Sequence, residues 1–314
     1  MKLPTALSIL LGLVLLVAGG DVVVRGAGKL AIAAGVRPLV VGLTVVAFCT
    51  SAPELAASVT AAFAGSPGLA VGNVLGSNIA NVGLILGIAG LVRPIAVQST
   101  VLAREVPAMI AASLLLVGLA WDGTLSRADG VVMLVALAAY LAVMVRMELR
   151  AYEPQVEAQV AAAVGATELR GRSVALVVLG VGMLVVGADR LVAGAAALAR
   201  SSGLSEEVVG LTVMAVGTSL PELAASVAAA RKGQGDMVLG NVVGSNIFNI
   251  LCILGATAVI RPIEGAMAAF SRDLWVGVGF AVALWPMLGR GRTLFRHEAA
   301  LLVAGWCGYT WWIL

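Results

Sequence analysis

Gly42-Leu43-Thr44-Val45, running on to Thr50-Ser51-Ala52-Pro53-Glu54-Leu55-Ala56-Ala57-Ser58-Val59, occurs again 168 positions later. The second copy reads Gly210-Leu211-Thr212-Val213 and then Thr218-Ser219-Leu220-Pro221-Glu222-Leu223-Ala224-Ala225-Ser226-Val227. Between 42–62 and 210–230, 16 of 21 residues agree without a gap. Downstream, Gly72-Asn73, Gly76-Ser77-Asn78-Ile79 and Asn81 return as Gly240-Asn241, Gly244-Ser245-Asn246-Ile247 and Asn249, and Arg93-Pro94-Ile95 returns as Arg261-Pro262-Ile263. Each copy sets a glutamate, Glu54 or Glu222, inside an apolar run of bilayer-crossing length. A carboxylate at mid-membrane depth costs ~2.5–3.5 kcal/mol on insertion scales, so it marks a functional site. Two of them in matched repeats point to a transporter with a cation site where the repeats meet.

The surrounding composition agrees. Of the 314 residues, 61% are hydrophobic and 12% charged, and the mean hydropathy is +1.04. Apolar runs of ~18 residues recur along the chain, which excludes a soluble enzyme and reads as a polytopic membrane protein. The net charge is only +3. The basic residues sit at the ends of apolar runs, which signals membrane topology and no nucleic-acid partner. Cys49, Cys252 and Cys307 lie in apolar stretches without metal-ligand spacing and are expected to be small buried residues. His297, between Arg296 and Glu298, is expected at a membrane boundary. Residues 1–20 have the outline of a signal peptide. However, Gly19, Asp21, Gly26 and Ala27 match Gly187, Asp189, Gly194 and Ala195 at the repeat offset, which makes the first run part of the membrane machinery.

Spans of ~20 residues are predicted near 5–28, 38–63, 69–92, 101–121, 128–147, 173–196, 206–230, 236–260, 270–288 and 298–314. The expected fold is therefore all-α, with ten transmembrane helices in two five-helix repeats. The first repeat is 1–147 with its motif at 42–95, and the second is 173–314 with its motif at 210–263. The polar connector 148–172 is too short to fold alone. Placing both termini outside puts fourteen of the twenty Lys and Arg residues on the cytoplasmic side, as the positive-inside rule favours. An odd number of spans per repeat inverts the second copy, so its motifs approach the midplane from the opposite face. Lipid-facing helices need only be apolar. Agreement in Thr, Ser, Pro and Glu between the halves therefore implies a shared polar task.

Ala47, Thr50, Ser51 and Glu54 are spaced to share one helical face, as are Ala215, Thr218, Ser219 and Glu222. Pro53 and Pro221 each remove a backbone donor and should break their helices near Cys49 and Gly217, freeing carbonyl oxygens. A purely structural kink would leave the glutamates unexplained. Asn73, Ser77 and Asn81 form a stripe spaced by four, repeated at Asn241, Ser245 and Asn249, while Gly72/Gly76 and Gly240/Gly244 allow close helix approach. Polar glue between helices is the competing reading for Asn73, Asn78, Asn241 and Asn246. Asp21 has Arg25 one turn on, favouring a helix-end ion pair over a role at the ion entrance.

Hard oxygens without thiolate or imidazole select sodium, calcium, magnesium or protons. Magnesium fits least, because it holds its waters and demands octahedral order. An anion site would need Arg or Lys at this depth, and there is none. Two ionised glutamates at close range repel strongly, so an empty site is costly to occlude. One Ca2+ or at least two Na+ neutralise them. If only neutralised states switch sides, the two loads exchange.

Cys49-Thr50-Ser51-Ala52-Pro53-Glu54, Gly217 to Glu222, Gly76 to Asn81 and Gly244 to Asn249 resemble the alpha-repeats of the calcium/cation antiporter superfamily. Over essentially its whole length the chain most resembles the prokaryotic sodium/calcium exchangers. The resemblance implies ten helices in inverted repeats, four cation positions near the midplane, and first and sixth helices that slide past the core. Carried over by position, Glu54 and Glu222 bind calcium with the backbone oxygens of Thr50 and Thr218. Sodium is held by Ala47, Thr50, Ser51, Ser77, Ala215, Thr218, Ser219, Ser245 and the same glutamates, and Asn81 and Asn249 line the centre. Two departures stand out. Many microbial relatives carry aspartate at the position of Asn249, and Cys49 replaces the motif glycine in the first repeat only, so the two helix breaks are expected to differ.

The expected activity is Na+/Ca2+ antiport by alternating access in the plasma (inner) membrane, extruding calcium. The protein would act as a monomer, with Ca2+ and Na+ as substrates and no resident cofactor. A proton-coupled exchanger of the same architecture is the alternative, although the proton-coupled branch usually lacks the GTSxPE pattern. A channel or non-transporting scaffold would be a different class, marked by single-channel current without a counter-ion.

Overall fold

A chain crossing hydrocarbon must satisfy its own N–H and C=O groups, so apolar runs of this length fold as helices. The computed structural model describes residues 5–34, 38–63, 67–150, 166–201, 217–264, 270–289 and 291–313, and these are almost wholly helical. Helix α1 is Thr5–Ala34. Next, α2 (Pro38–Val41), a π-helical turn at Gly42–Val46 and α3 (Ala47–Thr50) lead to Ser51, where α4 (Ala52–Phe63) departs at 45°. Helix α5 (Pro67–Ala80) passes through the π-helical segment Asn81–Leu86 into α6 (Gly87–Val92). Strand β1 (Ile95–Ala96), a π-helical turn at Val101–Glu105, α7 (Val106–Leu119) and α8 (Arg127–Arg150) follow.

The second half opens with α9 (Ala166–Ser201) and continues with α10 (Leu220–Arg231). Helix α11 (Gly235–Phe248) runs through the π-helical segment Asn249–Leu254 into α12 (Gly255–Ile260). The last elements are α13 (Ser271–Gly289), β2 (Thr293–Leu294) and α14 (Arg296–Ile313). Helix enters both ends of the expected connector, and 151–165 within it lies outside the described residues, as do 202–216 with Ala215.

Among the described residues, six helices are long and apolar enough to span a membrane, or seven if the bent pair Leu39–Thr50 and Ala52–Phe63 counts as one span. Neither α13 nor α14 is among them, and each has an acidic residue in its first turn, Asp273 or Glu298. The fold is thus that of a polytopic helical membrane protein.

The helix break falls at Ser51 (φ −82°, ψ 7°) and at Ser219 (φ −90°, ψ 6°), two residues beyond the expected Cys49 and Gly217. Proline is tolerated in a helix's first turn, where its missing donor is not needed. A new helix therefore starts around each proline, α4 at Ala52 and α10 at Leu220. The dihedrals of Ser51 and Ser219 nearly coincide, while Thr50 is helical and Thr218 belongs to the turn, so the two breaks agree at the serine and differ one residue before it.

Helices α1 and α9 pack antiparallel with their backbones almost touching. A Cβ built at Gly12 would lie 2.8 Å from the Gly187 oxygen, and one at Gly19 would lie 3.0 Å from the Gly180 oxygen. Helix α11 approaches the second run equally closely, since Cβ atoms at Gly240 and Gly244 would lie 2.8 and 2.7 Å from the oxygens of Leu39 and Leu43. Gly72 instead faces the ring of Phe270, and nothing among the described residues lies within 4 Å of a Cβ at Gly76. The repeat mates of Leu39 and Leu43, Glu207 and Leu211, lie outside the described residues. Strand β1 pairs antiparallel with β2 through Ile95 and Leu294, and Leu125 bridges Ile263, the repeat mate of Ile95.

The cysteines depart from expectation: Cys307 is exposed, and Cys49 and Cys252 are only partly buried. An apolar run in a bilayer has a lipid-facing side on which a thiol is as well accommodated as in a core. His297 is exposed in the first turn of α14, stacked on Phe295 with centroids 5.8 Å apart.

Candidate cation site

The two helix breaks meet each other across the repeats. Glu54, in the first turn of α4, and Glu222, in the first turn of α10, are each only 1% exposed. Each glutamate is served by the serine of the opposite repeat. Ser51 Oγ donates to Glu222 Oε1 at 3.1 Å, and Ser219 Oγ donates to Glu54 Oε1 at 3.4 Å. Ser219 Oγ also lies 3.4 Å from Ser77 Oγ, which ties α5 into the same cluster. Thr50 Oγ1 lies 3.3 Å from Asn241 Oδ1 and 3.4 Å from the Ala47 carbonyl oxygen.

A ring of amides holds these pieces in place. Asn73 Nδ2 donates to the Glu54 carbonyl at 3.1 Å and to Ser58 Oγ at 3.0 Å. Its repeat mate Asn241 does the same for the Glu222 carbonyl at 3.4 Å and Ser226 Oγ at 3.0 Å. Between α5 and α11, Asn78 and Asn246 each donate to the other's backbone carbonyl at 3.2 Å. Asn81 and Asn249, both buried, begin the two π-helical segments. An inserted helical residue is a common device at functional sites because it re-aims a side chain without ending the helix.

Five buried oxygen atoms of this cluster have no hydrogen-bond partner among the described residues: Oε2 of Glu54 and of Glu222, Oδ1 of Asn81 and of Asn249, and Ser245 Oγ. Buried polar atoms are satisfied as a rule, so such a concentration of unpartnered oxygens calls for a guest, a cation or water. Among the described residues no group of three or more His, Cys, Asp or Glu side chains could hold a metal ion. The donor set is two carboxylates and otherwise neutral oxygens, which suits hard cations.

Of the twelve residues expected at the site, the described structure brings together Glu54, Glu222, Thr50, Ser51, Ser219, Ser77, Asn81 and Asn249 through α3–α4, α5, α10 and α11, with Ser245 on the same stripe of α11. Ala47 is fully buried one turn before Thr50, and Thr218 adjoins Ser219 at the second break. Ala215 lies outside the described residues. The sequence reading missed Ser58 and Ser226 as partners of Asn73 and Asn241, although both serines stand four residues after a glutamate in each repeat. It also missed Lys232. Asp21 pairs with Arg25 at 3.8 Å as expected, but Lys232 is nearer at 2.9 Å and also donates to the Asp21 carbonyl. A partner 211 positions away leaves no trace in local spacing.

The chain matches the model of the sodium/calcium exchanger protein family over residues 5–146 and 172–314. It belongs to that family. Among its relatives, it is 39% identical to the inner membrane protein YrbG of Escherichia coli, covering 100% of this chain and 98% of YrbG. It is 33% identical to the sodium/calcium exchanger MaX1 of Methanosarcina acetivorans, covering 95% of each. It is also similar to solved structures of the sodium-calcium exchanger NCX_Mj. One, soaked with Na+ and Sr2+, has a TM-score of 0.85 at 31% identity over 99% of this chain and 98% of that one. Another, soaked with Na+ and Ca2+, has a TM-score of 0.83 at 31% identity over 98% and 97%. The family is one of exchangers, so the chain is a transporter of cations.

Proposed function

We propose that this chain exchanges Na+ for Ca2+ by alternating access, and that Glu54 and Glu222 are the carboxylates both ions neutralise. The observation that carries this reading is the reciprocal Ser51–Glu222 and Ser219–Glu54 pairing, which leaves one oxygen of each buried carboxylate unpartnered among the described residues. Two buried negative charges repel across a low dielectric, so closing the site over them is costly until cations discharge them. One Ca2+ does so, and so do two or more Na+. Each load can therefore cross alone, and neither leaks uncoupled. The remaining ligands are Thr50, Thr218, Ser51, Ser219, Ser77, Ser245, Asn81 and Asn249, with backbone oxygens of the broken helices.

The architecture of this proposal is ten spans in two inverted repeats, 1–147 and 173–314. It is supported by contacts that repeat with the partners exchanged. Gly12 against Gly187 has its counterpart in Gly180 against Gly19, and Asn78 to Asn246 has its counterpart in Asn246 to Asn78. Such reciprocity is what a two-fold axis in the membrane plane generates. Placement in the inner membrane is supported by the likeness to the inner membrane protein YrbG, and both termini outside by the charge distribution. Calcium extrusion follows where the Na+ gradient points inward.

Radiolabelled Ca2+ uptake by Na+-loaded proteoliposomes tests the reading. Uptake should need the outward Na+ gradient at fixed pH. Uptake driven by a pH jump without Na+ would point to proton coupling and remove the assignment.

A further inference from the structure

Asn78 and Asn246 sit one position off the stripes that carry Ser77 and Asn81, or Ser245 and Asn249, and they face each other between α5 and α11. Each Nδ2 donates to the other residue's backbone carbonyl at 3.2 Å. A backbone carbonyl can only accept, so this contact decides which end of each amide is nitrogen. Both Oδ1 atoms are thereby turned to the neighbouring amides and accept from them. Asn81 Nδ2 donates to Asn246 Oδ1 at 2.9 Å, and Asn249 Nδ2 donates to Asn78 Oδ1 at 3.0 Å. The orientation usually left ambiguous for an asparagine is therefore fixed here by the hydrogen-bond network. What is left over is Oδ1 of Asn81 and Oδ1 of Asn249, buried and unpartnered among the described residues.

We infer that Asn78 and Asn246 are positioning residues whose backbone-to-amide-to-amide relay obliges Asn249 and Asn81 to present oxygen, never N–H, to the cation site. Without the relay an asparagine is an unreliable cation ligand, because a half-turn of its amide replaces an oxygen by two donors that repel the ion. With it, a flipped Asn249 would set its own Oδ1 against Asn78 Oδ1, acceptor against acceptor. Asn81 lies one turn beyond Ser77, which touches Ser219. The π-helical segment at Asn81 contacts α10, which carries Glu222, and the one at Asn249 contacts α4, which carries Glu54. The relay therefore ends on the face of the site. The inference rests on the transport reading above and adds what makes two neutral amides dependable at its centre.

A double-mutant comparison in proteoliposomes tests it. The readouts are the Na+ concentration for half-maximal Ca2+ exchange and the melting temperature of the purified protein. Asn78→Ala frees Asn249 to turn, and half-maximal Na+ should rise about tenfold, the effect of losing one orienting hydrogen bond. In an Asn249→Asp background both ends of the side chain are oxygen and no turn can present N–H, so Asn78→Ala, which there removes only an acceptor facing an acceptor, should leave that value unchanged or lower it. Equal shifts in both backgrounds, or shifts that merely follow the melting temperature, would make the amides structural glue and overturn the inference. Should Asn78→Ala not fold, Asn246→Ala set against Asn81→Asp makes the same comparison from the other repeat. A wild-type protein without Na+-driven exchange would sink the transport reading and this inference with it. A working wild type without the coupling sinks only the relay.

Discussion

The serine three positions before each glutamate serves the glutamate across the interface. The hydroxyls of Ser51 and Ser219 hold one carboxylate oxygen each, and the other has no partner among the described residues. A hydrogen bond to a charged group is worth ~1.5–3 kcal/mol. Ser51→Ala or Ser219→Ala should therefore raise the half-saturating Ca2+ concentration about tenfold or more, measured as Ca2+-dependent exchange. A change below about twofold in both would place the hydroxyls away from the ion. Glu54→Gln and Glu222→Gln should each abolish exchange in a protein that still inserts and purifies, because removing a charge at this depth favours insertion. Normal Na+-driven flux in either variant would contradict the site. At this scale much was legible, since Glu, Ser, Thr and Asn recur at fixed offsets. The roles of Asn78 and Asn246 were not. Their spacing places them off the polar stripe, and only the packing of α5 against α11 supplies their acceptors.

At the scale of elements, the prolines predicted breaks near Cys49 and Gly217, two residues short of Ser51 and Ser219, but not the form the breaks take. Whether a proline kinks the old helix or opens a new one depends on what the neighbouring helices allow, and sequence spacing does not contain that. The π-helical segments at Asn81–Leu86 and Asn249–Leu254 were equally hidden, because one extra residue per turn barely alters an apolar pattern. Position 217 differs from position 49 for a packing reason. A Cβ at Gly217 would lie 2.2 Å from a methyl of Val192 in α9, whereas Cys49 faces an apolar cavity lined by Phe48, Leu137 and Tyr140. Gly217→Cys should destabilise by ~1–3 kcal/mol through overpacking, while Cys49→Gly should cost at most about 1 kcal/mol of helix propensity. Thermal melting of the two variants decides this, and equal losses would mean that α9 does not press on the second break.

At the scale of the whole molecule, the 168-residue repeat was legible, and so was the membrane class. Six or seven of the ten predicted spans meet a length and apolarity test among the described residues. Helices α13 and α14 do not, consistent with outer helices that have diverged from their mates. If three Na+ exchange for one Ca2+, each cycle moves one net charge, worth ~2.3 kcal/mol per 100 mV. Ca2+ uptake into Na+-loaded vesicles should then run faster with the interior held positive than with it held negative. A rate indifferent to clamped potential would require an electroneutral stoichiometry.

Both ions discharging one pair of carboxylates is the claim on which everything else rests, and calorimetric titration of purified protein with Ca2+ at increasing Na+ tests it directly. The apparent Ca2+ dissociation constant should climb steadily with Na+, and binding should vanish in Glu54→Gln and Glu222→Gln. Ca2+ affinity unmoved by Na+, or binding that survives loss of either carboxylate, would mean that the two ions do not share this site.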